Sequence, residues 1–219
     1  DQAAFVLSAL SYQNKAKKIP DKKAIELYGE TIQGSVSRME IFNSCPFAHF
    51  SSHGLKLKER DIYRLEAPDI GEMFHGALQW MTEQIIERGT SWGALSREQC
   101  IQLARTAVEV MAPKLQNEIL LSSNRFHYLK RKLEQIVARA SITLSGQAKN
   151  SQFSPIGLEL GFGRRGALPP LTFELQNGTK MELAGRIDRI DQAKTDNGTY
   201  LRIIDYKSSS KDLNFTEIY

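Results

Sequence analysis

Apolar residues recur at a 3.6-residue spacing in three long segments, and this pattern predicts three amphipathic helices. The clearest helix spans residues 69–88, with Asp69 as its N-cap and Gly89 just after its end. A capping-box sequence at Ser96–Gln99 opens the second helix, and the third spans residues 125–145. The chain is therefore predicted to be mainly helical up to about residue 150.

The pattern changes to short apolar runs separated by turn residues after this point. A strand is predicted at residues 155–162, and residues 171–175 and 180–188 form a hairpin around an Asn-Gly turn. A second Asn-Gly turn precedes a last strand at residues 200–207. The sequence thus predicts an antiparallel meander that follows the helices.

Charge density separates the start of the chain from the rest. Residues 1–33 are helix-prone but rich in charge, which indicates a linker or the remnant of a preceding domain. Residues 34–219 are expected to form one domain, with a helical part at residues 34–150 and a sheet at residues 151–219. The first residue is not Met and a helix is expected to begin at the last ones, so we expect a piece of a longer protein.

Composition narrows the class of protein only slightly. The chain has 219 residues, 41% of them apolar, a net charge of +4 and a pI near 9.0, which is compatible with a polyanionic partner. No apolar run approaches the roughly 20 residues of a membrane helix, and no secretory signal opens the chain. Two cysteines are too few for a disulfide framework, so a reduced, cytoplasmic location is expected.

Carboxylates and one lysine lie at the ends of two apolar strands. Asp188 is expected to end one strand, in Gly185-Arg186-Ile187-Asp188, and Ile203-Ile204 precede Asp205-Tyr206-Lys207. Strand alternation places Asp205 and Lys207 on one face and Tyr206 on the other. Such a group can bind a divalent metal together with a water, which is the chemistry of metal-dependent phosphodiester hydrolysis.

These charged residues also have an ordinary interpretation. Asp188, Arg189 and Asp191 would then form a solvated hairpin face, and Asp205 and Lys207 a surface ion pair. The joint pattern favours a metal site, because two acidic residues follow apolar strand segments about 17 positions apart.

The sequence resembles the PD-(D/E)XK nuclease superfamily, and most closely its RecB-like branch. The motifs that carry the resemblance are Gly185-x-x-Asp188, Asp205-Tyr206-Lys207 and an upstream helical histidine, His75. Further similarity, at Cys45-Pro46-Phe47 and around residues 65–72, is to the nuclease domains of one subunit of AddAB-type helicase–nucleases. The resemblance implies an α/β (α+β) fold with a restriction-endonuclease-like core, in which helices flank a mixed sheet.

The resemblance also implies a set of metal ligands for Mg²⁺ or Mn²⁺. Asp188, Asp205 and His75 would bind the ion with the backbone carbonyl of Tyr206, and Lys207 would orient the attacking water. Glu159 is a weaker candidate, at a position where many relatives carry an acidic residue. Asp191 is left out because its strand parity is opposite to that of Asp188. On the residues alone, His75 is equally an ordinary helical histidine.

Cys45 lies within a short helix expected at residues 35–50, with Ser37 as its N-cap. On sequence alone such a cysteine is most often a buried thiol. The resemblance instead implies a ligand of a 4Fe-4S cluster, with three further cysteines beyond residue 219. Cys100 lies on the apolar face of its helix and is no substitute. We therefore expect a cluster in a longer parent protein only.

The implied function is a metal-dependent deoxyribonuclease with single-strand exonuclease activity. Its partners would be DNA strands from unwound duplex ends and an AddA-like helicase–nuclease subunit, in double-strand-break repair by homologous recombination. Candidate DNA contacts are Arg164-Arg165 in a glycine-flanked turn and Lys130-Arg131-Lys132, although each is also an ordinary charged surface. The alternatives are a Cas4-like or phage-encoded exonuclease of the same superfamily and an inactive DNA-binding scaffold.

Overall fold

The computed structural model describes most of the chain: residues 2–11, 13, 18–58, 60, 65–115 and 124–207. The chain divides into two compact units, residues 1–58 with 172–183 and residues 59–171 with 184–219. The domain boundary predicted at residues 33 and 34 stays a prediction. Among the described residues, no helix combines the length and the apolarity needed to cross a membrane.

The first unit combines short helices with a three-stranded sheet. Strand order is β1-β4-β3, in which β1 and β4 run parallel and β3 and β4 are joined by the predicted Asn177-Gly178 turn. Its elements are α1 (Gln2–Leu10), α2 (Asp21–Tyr28), β1 (Ile32–Gly34), α3 (Val36–Ser44), α4 (Pro46–His49), a π-helical turn (Phe50–Gly54), β3 (Leu171–Glu174) and β4 (Lys180–Leu183).

The short helix expected at residues 35–50 is interrupted at Cys45. The extended backbone of Cys45 ends α3, and Pro46 opens α4 at a position where a missing N–H costs no hydrogen bond. The prediction of Ser37 as the N-cap was wrong. Ser35 is the N-cap, and its hydroxyl accepts a 3.3 Å hydrogen bond from the backbone N–H of Arg38.

The second unit contains the three predicted long helices, with bounds at α5 (Ala67–Glu87), α6 (Arg97–Met111) and α7 (Asn124–Lys149). The capping box at Ser96 and Gln99 is confirmed. The predicted N-cap of α5 was wrong by three residues, because Glu66 is the cap. Asp69 lies at the third helical position and accepts from the Glu66 backbone N–H at 2.7 Å.

The apolar faces of these helices form the core of the second unit. Trp92 and Tyr206 are buried in the same cluster, so the strand end that carries Tyr206 packs directly on the helices. Cys100 is fully buried among them, as its helical position predicts, and burial raises the pKa of its thiol. The remaining core comes mainly from Met73, Phe74, Ala77, Leu78, Met81, Ile85, Ala104, Ala107, Val108, Leu133 and Val137.

A second sheet, antiparallel and three-stranded, has the order β2-β5-β6. Its strands are β2 (Ser154–Phe162), β5 (Gly185–Thr195) and β6 (Gly198–Ile204). The predicted strand at residues 180–188 is divided at Ala184, so the strands do not form one meander. Asp188 therefore lies inside β5 and not at a strand end.

Buried charges fasten this sheet to the helices. The guanidinium group of Arg189 donates two hydrogen bonds to Asp191, at 2.5 and 3.0 Å, and lies over the Trp92 ring. Arg202 donates a further bond to Asp191 at 2.7 Å. Burial alone would lower the pKa of Arg189, but its bonds to Asp191 and Tyr206 raise it overall. The solvated hairpin face considered above is therefore wrong, because these side chains are buried.

Candidate metal centre

His75 on α5 faces Asp188 on β5. Its Nδ1 atom lies 3.2 Å from Oδ2 of Asp188, and both side chains are largely buried, with exposures of 22% and 9%. His75 lies one residue after the core residue Phe74, so it sits at the edge of the apolar stripe of α5. The helix thus places an imidazole beside a carboxylate of the sheet.

The Asp188 carboxylate also receives a hydrogen bond from the end of the neighbouring strand. The backbone N–H of Tyr206 donates to its Oδ2 atom at 2.7 Å. The pairing of Arg189 with Ile204 explains this bond, since one further step of the same register brings Asp205 opposite Asp188. The predicted adjacency of the two motif strands is confirmed.

Glu159 comes from the strand on the other side of β5. The pairs Leu158 with Arg189 and Leu160 with Ile187 place Glu159 directly opposite Asp188. Its φ angle of +48° is rare for a residue other than glycine and is found mostly where a local constraint imposes it. One ligand atom each from His75, Glu159 and Asp188 lie within 4.8 Å of one another.

The electrostatic surroundings of Glu159 are unfavourable for a carboxylate. Burial raises the pKa of its carboxyl; the Arg186 guanidinium opposes this rise, Asp188 adds to it, and His75 opposes it. Arg186 Nε lies 2.7 Å from Oε2, but neither buried oxygen has a hydrogen-bond partner of good alignment among the described residues. Glu159 is therefore a buried acceptor whose lone pairs are available to a cation.

This donor set suits a divalent cation. Two carboxylates and one imidazole match the ligands that Mn²⁺ accepts, and Mg²⁺ binds to the carboxylates more readily than to the imidazole. Sequence reasoning made Glu159 only a weaker candidate, because the strand register alone places it opposite Asp188.

Asp205 and Lys207 lie beside this group but not within it. Their side chains pair with each other at 2.6 Å and are 60% and 55% exposed. Asp205 does not belong to the group of ligand atoms within 4.8 Å found among the described residues. The predicted division of faces is confirmed, since the Tyr206 ring is buried against Phe74 and His75.

The other candidate residues lie elsewhere. Cys45 belongs to the first unit and is exposed, which excludes the ordinary interpretation of a buried thiol. Its Sγ atom caps α4 through the Ala48 N–H at 3.5 Å. Arg164 and Arg165 are exposed in the turn between Gly163 and Gly166, where a glycine-flanked turn was predicted.

Comparison with known proteins defines the class first. The model of the PD-(D/E)XK nuclease superfamily matches residues 33–219, and the chain therefore belongs to this superfamily. The expected fold class, with helices flanking a mixed sheet and a helical N-terminal part, is thereby confirmed.

The more particular similarity is to the AddB-type component of ATP-dependent helicase/deoxyribonucleases. The chain is 54% identical over 219 residues to that component from Bacillus pumilus, and 56% identical over 218 residues to the one from Bacillus subtilis. Each alignment covers the whole chain and 19% of the relative, so the chain spans about a fifth of their length. The similarity to AddB, expected from the motifs, is confirmed.

Proposed function

We propose that the second unit of this chain is a metal-dependent deoxyribonuclease that hydrolyses single-stranded DNA. The main support is the approach of His75 Nδ1 to Asp188 Oδ2, 3.2 Å, beside the buried and poorly partnered carboxylate of Glu159. A nuclease superfamily supplies the reaction class, and the group of ligand atoms supplies a place for the cation.

His75, Asp188 and Glu159 would bind Mg²⁺ or Mn²⁺, with the Asp205 carboxylate and the Tyr206 carbonyl as further ligands. Such an ion polarises the scissile phosphoryl group and lowers the pKa of a bound water. The backbone N–H of Tyr206 orients the Asp188 carboxylate through the 2.7 Å bond. Preorganised ligands of this kind lose little conformational entropy when the cation enters.

Lys207 would act on the water and on the charge of the transition state. Its ammonium group is 2.6 Å from the Asp205 carboxylate, so both groups are already at the strand end that faces the site. An ammonium there stabilises negative charge as it develops on the phosphoryl oxygens. Asp205 would be shared between this lysine and the cation.

In a longer parent protein this unit would act within a helicase–nuclease. The relatives are named as components of an ATP-dependent helicase/deoxyribonuclease. We infer that the parent pairs with an AddA-like protein in the cytoplasm and cuts strands from unwound duplex ends during double-strand-break repair. Their high identity to this chain favours this role over a Cas4-like or phage exonuclease.

The test is cleavage of end-labelled single-stranded DNA by the full chain with Mg²⁺ or Mn²⁺. Asp205→Ala and Lys207→Ala should each lower the rate by about 100-fold or more, while DNA binding in EDTA stays nearly unchanged. Asp196→Ala is the matched control, because Asp196 is exposed at the β5–β6 turn. Equal rates for Asp205→Ala and Asp196→Ala would refute the catalytic assignment. Binding without cleavage by the unaltered chain would favour an inactive scaffold.

A further inference from the structure

Four arginines line a groove between α6 and α7. The groove has a volume of about 390 Å³, and the guanidinium groups come from Arg97 and Arg105 on α6 and from Arg131 and Arg139 on α7. Each pair is eight residues apart on its helix, a distance of about 12 Å along the axis. The arginines therefore follow both walls of an elongated groove.

These arginines lack the partners that such groups usually have. All four are exposed, and none makes an ion pair with any residue that the structure describes. Glu134 is the single acidic residue of the lining. Four cations beside one carboxylate produce a strongly positive potential, which attracts polyanions.

The two helices are fastened to each other, so the groove is a rigid feature. The Ser145 hydroxyl donates to the Leu95 carbonyl at 3.1 Å, and Cys100 and Ser141 exchange contacts between side chain and backbone at 3.8 and 3.5 Å. These contacts fix the antiparallel register of α6 and α7. The arginine stems start from a fixed backbone, which limits the entropy lost on binding.

Arg139 also lines a second cavity, of about 360 Å³, which contains Asp205 and Lys207. Thr143 and Gln147 add neutral hydrogen-bonding groups there. The positive groove and the catalytic strand end thus share a wall residue. A chain with regularly spaced negative charges can occupy both cavities at once.

We propose that the α6–α7 groove binds the phosphate backbone of the single strand that the metal centre cuts. The proposal rests on the proposed nuclease function and names a binding site for the part of the strand beyond the scissile phosphate. An acidic protein surface would also match the charge, but it would not account for the continuity with Asp205 and Lys207 through Arg139. Contacts to phosphates without base contacts imply little sequence preference.

The experiment measures the affinity of the full chain for an oligothymidylate in EDTA over a range of KCl concentrations. Arg105→Gln/Arg131→Gln should raise Kd by about 10-fold at low salt and lower the slope of log Kd against log salt by about 1.4, or 0.7 for each lost contact. The matched control is Arg88→Gln/Lys194→Gln, which removes two exposed charges that line neither cavity. Circular dichroism of both double variants checks that they fold.

Steady-state cleavage separates this proposal from the proposed function. Arg105→Gln/Arg131→Gln should raise KM and leave kcat unchanged, because the groove binds ground state and transition state alike. An unchanged Kd and salt slope would overturn the groove proposal even if Asp205→Ala abolishes cleavage. An equal loss of affinity in the control double variant would overturn it too, since net charge alone would then explain binding.

Discussion

The backbone N–H of Tyr206 donates a 2.7 Å hydrogen bond to the side-chain Oδ2 atom of Asp188. The same oxygen lies 3.2 Å from His75 Nδ1, so one carboxylate joins β5, the end of β6 and α5. The bond ties the two motifs of the superfamily to each other before any ion binds. Asp188 is therefore both a structural acceptor and a candidate ligand.

Asp188→Asn should separate these two roles. Asparagine keeps an acceptor oxygen for the Tyr206 N–H but carries no negative charge for a cation. We expect the free energy of unfolding to change by about 1 kcal/mol or less, and Mn²⁺ affinity to fall at least about tenfold. Isothermal titration with Mn²⁺ and urea unfolding measure the two quantities. An unchanged Mn²⁺ affinity would remove Asp188 from the ligand set.

Asp191→Asn should have the opposite profile. Asp191 is fully buried and accepts from both Arg189 and Arg202, so the substitution leaves buried guanidinium charge without its counter-ion. We expect a loss of about 3 kcal/mol or more in the free energy of unfolding, measured in urea. The exposed Asp196→Asn should change it by less than about 0.5 kcal/mol. Equal stabilities of the two variants would contradict the structural role of Asp191.

Glu159→Gln should stabilise the metal-free chain at neutral pH. Burial raises the pKa of Glu159 above its ordinary value of 4.5, so the folded chain binds this proton more tightly than the unfolded chain does. The free energy of unfolding therefore falls as pH rises from the ordinary pKa through the raised one. Glutamine removes this decline, because it does not titrate.

Urea unfolding in EDTA between about pH 4 and pH 7 tests this sign. We expect the advantage of Glu159→Gln, of the order of 1 kcal/mol, to be present at the upper pH and to shrink at the lower. The variant should also bind Mn²⁺ more weakly, because a neutral amide oxygen replaces a carboxylate. A variant less stable than the unaltered chain at pH 7 would show that Glu159 is well satisfied without a cation.

Cys45 should matter for a cluster but not for the stability of this chain. The chain has two cysteines, one of them buried, whereas a 4Fe-4S cluster needs four thiolates. Iron and labile-sulfide analysis of the isolated chain should find no stoichiometric cluster. Cys45→Ser should leave the melting temperature nearly unchanged, because serine also caps helices. In a longer parent protein the same substitution should remove iron, and full iron retention there would contradict the cluster role.

The helices and the nuclease motifs could be predicted from local patterns. The periodic apolar stripe of α5 and the capping box of α6 depend on neighbours within a few residues, so their sequence suffices. The division of residues 180–188 between two sheets was not predictable, because both halves have strand-like composition. Only long-range pairing decides that Lys180–Leu183 joins β1 while Gly185 begins the strand beside β2.

By itself, the sequence determined the superfamily, the helical first half, the adjacency of the Asp188 and Asp205 motifs and the burial of Tyr206 away from Lys207. Strand alternation and motif spacing are local properties, and the chain carries them in any context. Tertiary structure alone decided that Glu159 stands opposite Asp188, that Asp191 is a buried counter-ion and that Arg139 joins two cavities. These relations depend on register and helix packing, which bring together residues far apart in the chain.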